Sequence, residues 1–222
     1  MLLFVIFTKY CYPYIDIFTF FTGRNFMTTG EALITKKVIA YSFKHLMKTK
    51  DFNKISITEI MMQAELRRQT FYDHFTDKYD LLAWLYHQEF TENVEHYIDY
   101  EPWPEILNRV LTYFEKNKLL YQKALAVTEQ NSFDQFLTEH THQFFLTILE
   151  KQEQPELDLT SKTNATSYSI SDYSYFYAVG FTGIVTPWLL DNCQESVEDI
   201  TNYLTVIIQN SIIQLLKNKE IL

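Results

Sequence analysis

Residues 56–78 read SITEIMMQAELRRQTFYDHFTDK, and the spacing inside this stretch sets the architecture. Ser56 and Glu59 make an S-x-x-E capping box, in which each side chain satisfies an orphan amide at a helix start. The helix it opens is short, with Ile60 and Ala64 on its inner face, and Leu66 plugs the turn that follows. Arg67 to Phe75 give a second short helix whose Phe71 and Phe75 point inward at i, i+4. Asp77 caps the next helix, with Asp80 three residues on, and Leu81, Leu82 and Leu85 form its apolar side. Upstream, Ile39, Phe43, Leu46 and Met47 fall at i, i+4, i+7 and i+8. A longer first helix, ending near Lys50-Asp51, therefore backs the short pair.

Downstream the pattern stays helical. Pro102-Trp103-Pro104 breaks the chain ahead of a helix at about 105–116. Further helices are expected at about 119–128 and 131–152, a polar, proline-containing loop at 153–167, and two apolar helices at about 168–190 and 196–218. The expected fold is all-α. Residues 30–77 form an N-terminal three-helix unit containing a helix-turn-helix, and residues 78–222 a larger helical domain.

Composition agrees. The 222 residues include only 4 Gly and 5 Pro, which argues against loop-rich β-architecture and glycine-lined nucleotide sites. Two cysteines, Cys11 and Cys193, make no disulfide framework or structural zinc site and fit a reducing cytoplasm. The net charge is −9 but unevenly placed: residues 27–75 carry +3 and residues 76–222 carry −13. A basic segment beside an acidic body points to a localised anionic partner. Residues 1–26 are apolar and aromatic, yet Lys9, Pro13 and Asp16 interrupt them short of the ~20 residues that span a bilayer. That segment reads as a mis-assigned start or a disordered extension rather than a membrane anchor, and no membrane partner is expected.

Two short helices joined by a tight turn suit the major groove of DNA, which is about 12 Å wide and admits one helix. With Phe71 and Phe75 anchoring the second helix, Arg68, Gln69, Tyr72 and His74 face outward, with Arg67 at its start and Thr70 at its side. Arg reads guanine through a two-pronged donor pair and Gln reads adenine. Lys78, in the first turn of the next helix, is placed to meet a phosphate. His74 suits either a phosphate contact or a packed surface imidazole.

These residues also resemble a family. Ser56-Ile-Thr-Glu-Ile60, Ala64, Arg68-Gln-Thr-Phe-Tyr72, His74-Phe75, Lys78 and Leu81-Leu82 look like the DNA-binding module of the TetR family of bacterial transcription regulators, over roughly residues 34–82. The resemblance implies a homodimer on a double-stranded operator, joined through the last two helices, with a C-terminal domain that receives the signal. It implies DNA contacts from Ser56, Thr58, Arg67, Arg68, Gln69, Thr70, Tyr72, His74 and Lys78, with Tyr72 and Lys78 on phosphates and Arg68, Gln69 and Thr70 on bases. Two positions depart from the pattern. Glu65 stands where glycine usually makes the turn, and Arg67 stands where a small residue usually caps the recognition helix, forfeiting about 1 kcal/mol. Leu66 to Tyr72, with Ile34-Thr-Lys upstream and Leu82-Ala-Trp84 downstream, looks like a narrower branch, the regulators of dihydroxyacetone-kinase operons. In that branch the C-terminal domain engages a kinase-subunit-like co-regulator. The alternative is a repressor released by a small apolar effector.

The chain has no H-E-x-x-H, nucleophile elbow or phosphate loop, so no enzyme and no cofactor is expected. His140 and His142 lie two apart on one helix, point different ways and lack metal-ligand spacing. Trp103, Tyr113, Phe114, Tyr121, Phe144, Tyr173, Tyr175, Phe176 and Tyr177 suit either a ligand pocket or plain core. Gly180 and Gly183, near Ala178, would let a partner helix approach closely, with Trp188 anchoring that interface and Pro187 kinking or shortening the helix. Ile200, Leu204, Ile207, Ile208 and Leu215 form a stripe suited to a four-helix bundle with a second subunit.

Overall fold

The computed structural model describes residues 30–127, 133–152 and 169–217. The expectations for residues 1–26 and for the 153–167 loop lie outside the described residues, as does the side chain of Leu215. Compactness divides the chain at 36/37. Gly30 to Lys36 open the first helix, where Thr35 Oγ1 donates to the Glu31 carbonyl at 3.0 Å.

Among the described residues the structure is helical with no strand. The helices are α1 (Gly30–Thr49), α2 (Ile57–Gln63), α3 (Arg68–Tyr72), α4 (Lys78–Asn93), α5 (Trp103–Lys116), α6 (Lys118–Leu125), α7 (Phe133–Gln152), α8 (Ile170–Leu190) and α9 (Val197–Lys217). The all-α expectation holds. Pro102 occupies the N-cap of α5 and Pro104 falls in its first turn, so these prolines start the helix instead of interrupting it. Likewise α8 continues one turn past Pro187 before closing at Leu190. None of the described helices is long and apolar enough to cross a membrane.

One hydrophobic cluster runs through the unit. At its front, Ile39, Phe43 and Met47 of α1 close over Phe52, Ile55, Ile60 and Phe71. Phe52 bridges two elements, edge-on to Phe43 at 6.0 Å and tilted on Tyr79 at 4.9 Å. Further back the core is aromatic. Tyr86 of α4 is 1% exposed and meets the rings of Phe90, Phe114, Tyr121 and His140. Helix α7 packs along α8, and α9 lies against α5.

Polar ties join the front to the back. Lys44 of α1 donates to Glu89 of α4 at 2.6 and 2.9 Å, and Glu89 also accepts from the Tyr113 hydroxyl at 3.0 Å. Tyr113 in turn is hydrogen-bonded to Tyr121. Burial pushes both of these phenols well up, so they remain protonated donors. Lys123 of α6 donates to the carbonyls of Met47 and Lys50 at 2.7 and 3.0 Å, supplying cations where the end of α1 leaves acceptors unsatisfied.

Candidate nucleic-acid interface

The capping box forms as the sequence dictates. Ser56 Oγ accepts from the Glu59 amide at 3.2 Å, and Glu59 Oε2 accepts from the Ser56 amide at 2.9 Å. Lys50 Nζ adds an ion pair to Glu59 at 2.5 Å. That lysine first, and the Ser56 donors second, hold the Glu59 carboxyl down at about 2.

The turn answers the question raised by Glu65. Its φ is +56°, so a glutamate occupies the left-handed region that glycine fills at no steric cost. The turn is a Schellman closure: the Glu65 amide donates to Met62 O at 3.2 Å and the Leu66 amide to Met61 O at 3.0 Å. Leu66 then packs on the core, which fixes where the chain leaves. Those contacts outweigh a local strain of about 1 kcal/mol.

Helix α3 has five residues and could not persist alone, because nucleation costs more than so few hydrogen bonds return. Arg67 occupies its N-cap with no side-chain bond, as expected. Tertiary packing holds it instead. Phe71 is fully buried and Phe75 nearly so, their rings 5.7 Å apart, and Phe75 meets Trp84 of α4 edge-on at 5.7 Å. With this face committed, Arg67, Arg68, Gln69 and Tyr72 are exposed, as are Ser56 and Thr58 beside the start of α2. Thr70 and His74 are half-buried at the sides. Arg68 donates to the Tyr72 hydroxyl at 3.2 Å, and its guanidinium lies 5.7 Å from that ring. The two outward groups are thereby tied together across one turn.

Lys78 is placed differently from its neighbours. Its ammonium donates to the carbonyls of Phe52 (2.9 Å), Asn53 (3.4 Å) and Ile55 (3.2 Å) and lies 4.6 Å from the Phe52 ring. The residue expected on a phosphate thus also clamps the 3-10 turn Phe52–Lys54, which leads into the capping box. Asp77 caps α4 by accepting from the amides of Tyr79 and Asp80 at 2.8 and 2.9 Å.

The rear of the unit corrects two expectations. Trp188 is 3% exposed and donates Nε1–H to Glu195 O at 2.9 Å, so it anchors its own subunit's loop rather than an interface. Ile200, Leu204 and Ile208 are buried in their own subunit, on the helix that lies against α5. Pairing within the chain consumes these three positions of that stripe. What remains outward is Ile207 of the stripe, with Tyr203 and Val206 beside it on α9, and Phe176, Val179 and Leu190 on α8. Gly180 and Gly183 lie in the same α8 stripe, and a methyl added at either would meet nothing within 4 Å. Finally, the aromatic residues pack mostly on each other. The cavity beside Tyr86, Trp103, Phe144 and Phe181 measures about 10 Å³, room for one water.

The histidines part as their spacing requires. His142 Nε2 lies 3.2 Å from Ser171 O, whereas His140 Nε2 lies 3.3 Å from His87 Nδ1 on α4. Glu95 completes a group with them. Burial, then the neighbouring His87, pushes the His140 imidazole down to about 3. Sequence spacing gave no signal for this group, because His140 lies 53 positions from His87.

Known proteins resemble this chain in sequence and in fold. A TetR family model described as the transcriptional regulator C-terminal region matches residues 101–210. The HTH-type dhaKLM operon transcriptional activator DhaS of Lactococcus lactis subsp. lactis (strain IL1403) is 35% identical over 111 residues, 50% of this chain and 58% of that protein. The match therefore spans little more than half of that relative. A solved structure of a dihydroxyacetone kinase operon activator DhaS is similar with a TM-score of 0.61 at 26% identity, over 81% of this chain and 97% of that one. NalD, the secondary repressor of the MexAB-OprM multidrug efflux pump in Pseudomonas aeruginosa, reaches a TM-score of 0.51 at 15% identity, over 81% and 96%. That likeness is one of fold alone.

Proposed function

Because this chain belongs to the TetR-type transcriptional regulators, we propose that it acts in the cytoplasm as a homodimer that reads a pseudo-palindromic operator of a dihydroxyacetone kinase gene cluster. One observation carries the reading: Arg67, Arg68, Gln69 and Tyr72 stand exposed on a five-residue helix pinned by the buried Phe71. Arg68, Gln69 and Thr70 contact base edges. Ser56, Thr58, Arg67, Tyr72, His74 and Lys78 contact the backbone and fix the register. Functionally the chain divides at 77/78, with residues 30–77 on DNA and 78–222 for dimerisation and signal.

The outward apolar residues of α8 and α9 support a four-helix interface with a second subunit, with Gly180 and Gly183 admitting the partner helix. The −13 body beyond residue 75 keeps DNA on the basic heads. The similarity to DhaS favours a protein co-regulator resembling a kinase subunit over a small apolar effector.

Fluorescence anisotropy on the DNA upstream of the gene and of neighbouring kinase genes tests the reading. The wild type binds one fragment far above random DNA, and Arg68→Ala relaxes preference at one or two base pairs per half-site, by about 1–3 kcal/mol each. Equal preference in wild type and Arg68→Ala would show that the base-reading assignment is wrong.

A further inference from the structure

The group His87, Glu95 and His140 has the chemistry and dimensions of a ligand set. All three residues offer a donor atom within 4.8 Å of the others. His87 Nδ1 and His140 Nε2 are 3.3 Å apart. That separation is long for a nitrogen–nitrogen hydrogen bond. It matches the roughly 3.3 Å between two imidazole nitrogens held at about 2.05 Å from a tetrahedral zinc. Glu95 is already oriented by an outer contact, since Thr91 Oγ1 donates to its Oε2 at 2.6 Å. His140 Nδ1 is buried without a hydrogen-bond partner, so the ring's polar contact is the one through Nε2 to His87, and aromatic packing against Tyr86 and Phe90 holds the rest of it.

The fold explains how these residues meet. His87 and Glu95 are eight apart, and an unbroken helix would separate them by about 12 Å along its axis. Helix α4 ends at Asn93, Val94 takes φ −127° and ψ −61°, and the 3-10 turn Glu95–Tyr97 brings the carboxylate back beside His87. Helix α7 supplies His140 from the core side. His140 is buried while His87 and Glu95 are half-buried, which leaves the set open to solvent on one side.

We propose that His87, Glu95 and His140 bind a divalent transition-metal ion, with water completing the coordination shell. Two imidazoles and one carboxylate select a borderline ion such as Zn2+, Co2+, Ni2+ or Fe2+, and disfavour Ca2+ and Mg2+, which take oxygen ligands. His2Glu is the donor set of open zinc sites. The ion would tie the end of α4, the turn after it and α7 into one rigid corner. The site stands on its own geometry and does not depend on the operator reading.

The test is titration of the full-length, tag-free, chelator-stripped protein with CoCl2, followed by visible absorption, with ZnCl2 as competitor and in thermal melts. The expected result is one Co2+ per chain, with the d–d bands of a four- or five-coordinate site, displaced by Zn2+, and a Tm raised by Zn2+. His87→Gln and Glu95→Gln, both on the half-buried side and verified as folded by circular dichroism, each weaken binding by at least about tenfold. His142→Gln leaves it unchanged. Absence of visible bands at stoichiometric Co2+, or bands that persist unaltered in His87→Gln and Glu95→Gln, would overturn the proposal.

Discussion

Replacing Lys78 with methionine keeps the aliphatic stem and removes the ammonium that the carbonyls of Phe52, Asn53 and Ile55 share. The bond to Asn53 is long and exposed, so it contributes little. The bonds to Phe52 and Ile55 are partly buried, and the loss of a charged donor there costs about 1–1.5 kcal/mol each after water partly replaces it. Loss of the cation over the Phe52 ring adds about 0.5 kcal/mol at most. The sum is about 2–3.5 kcal/mol, or a fall in Tm of roughly 4–14 °C for a chain of this size. Urea unfolding of wild type, Lys78→Met and Lys78→Arg measures it. The arginine variant keeps the charge but spreads its donors over a planar fork, so it recovers only part of the stability. An unfolding midpoint for Lys78→Met indistinguishable from wild type would refute the clamp. Salt titration of DNA binding then separates the second role. If the ammonium also meets a phosphate in each half-site, the log–log slope falls by about 2 per dimer, and an unchanged slope assigns Lys78 to positioning alone.

Glu65→Gly should stabilise the protein by up to about 0.5 kcal/mol, because relief of the left-handed strain offsets the added freedom of the unfolded chain; urea midpoints decide it. Glu59 is held at about 2 in the folded state against 4.5 unfolded, so its stabilising contribution is complete above pH 4.5 and lost as pH falls toward 2. Acid titrations of wild type and Glu59→Gln should therefore converge near pH 2 and diverge above it; parallel curves would contradict the pairing. Phe176→Glu combined with Val206→Glu should convert the proposed dimer to a monomer in light scattering while leaving helicity intact, since both side chains are exposed in the single chain.

Much of the front of the molecule was legible in advance. The capping box at Ser56, the inward Phe71 and Phe75, the outward Arg68 and Gln69 and the cap at Asp77 all follow from interactions within four residues, where spacing alone decides who meets whom. Glu65 was legible as a problem, and the chain solved it by forcing a glutamate into a glycine's conformation. The rear was less legible. Ile200, Leu204 and Ile208 fit an interface stripe by periodicity, yet periodicity reports that a face is apolar and not which apolar surface covers it. The same holds for Trp188.

The amino-acid order therefore determined where helices begin and end, and which side chains of α3 are free to face a groove. Those outcomes depend on dihedrals, caps and i, i+4 neighbours. Only the tertiary structure decided that Lys78 is shared with three carbonyls, that α5 uses up one face of α9, and that His87 and Glu95 meet His140. Each of these joins positions separated by a helix or more, and their encounter depends on how the intervening elements cross.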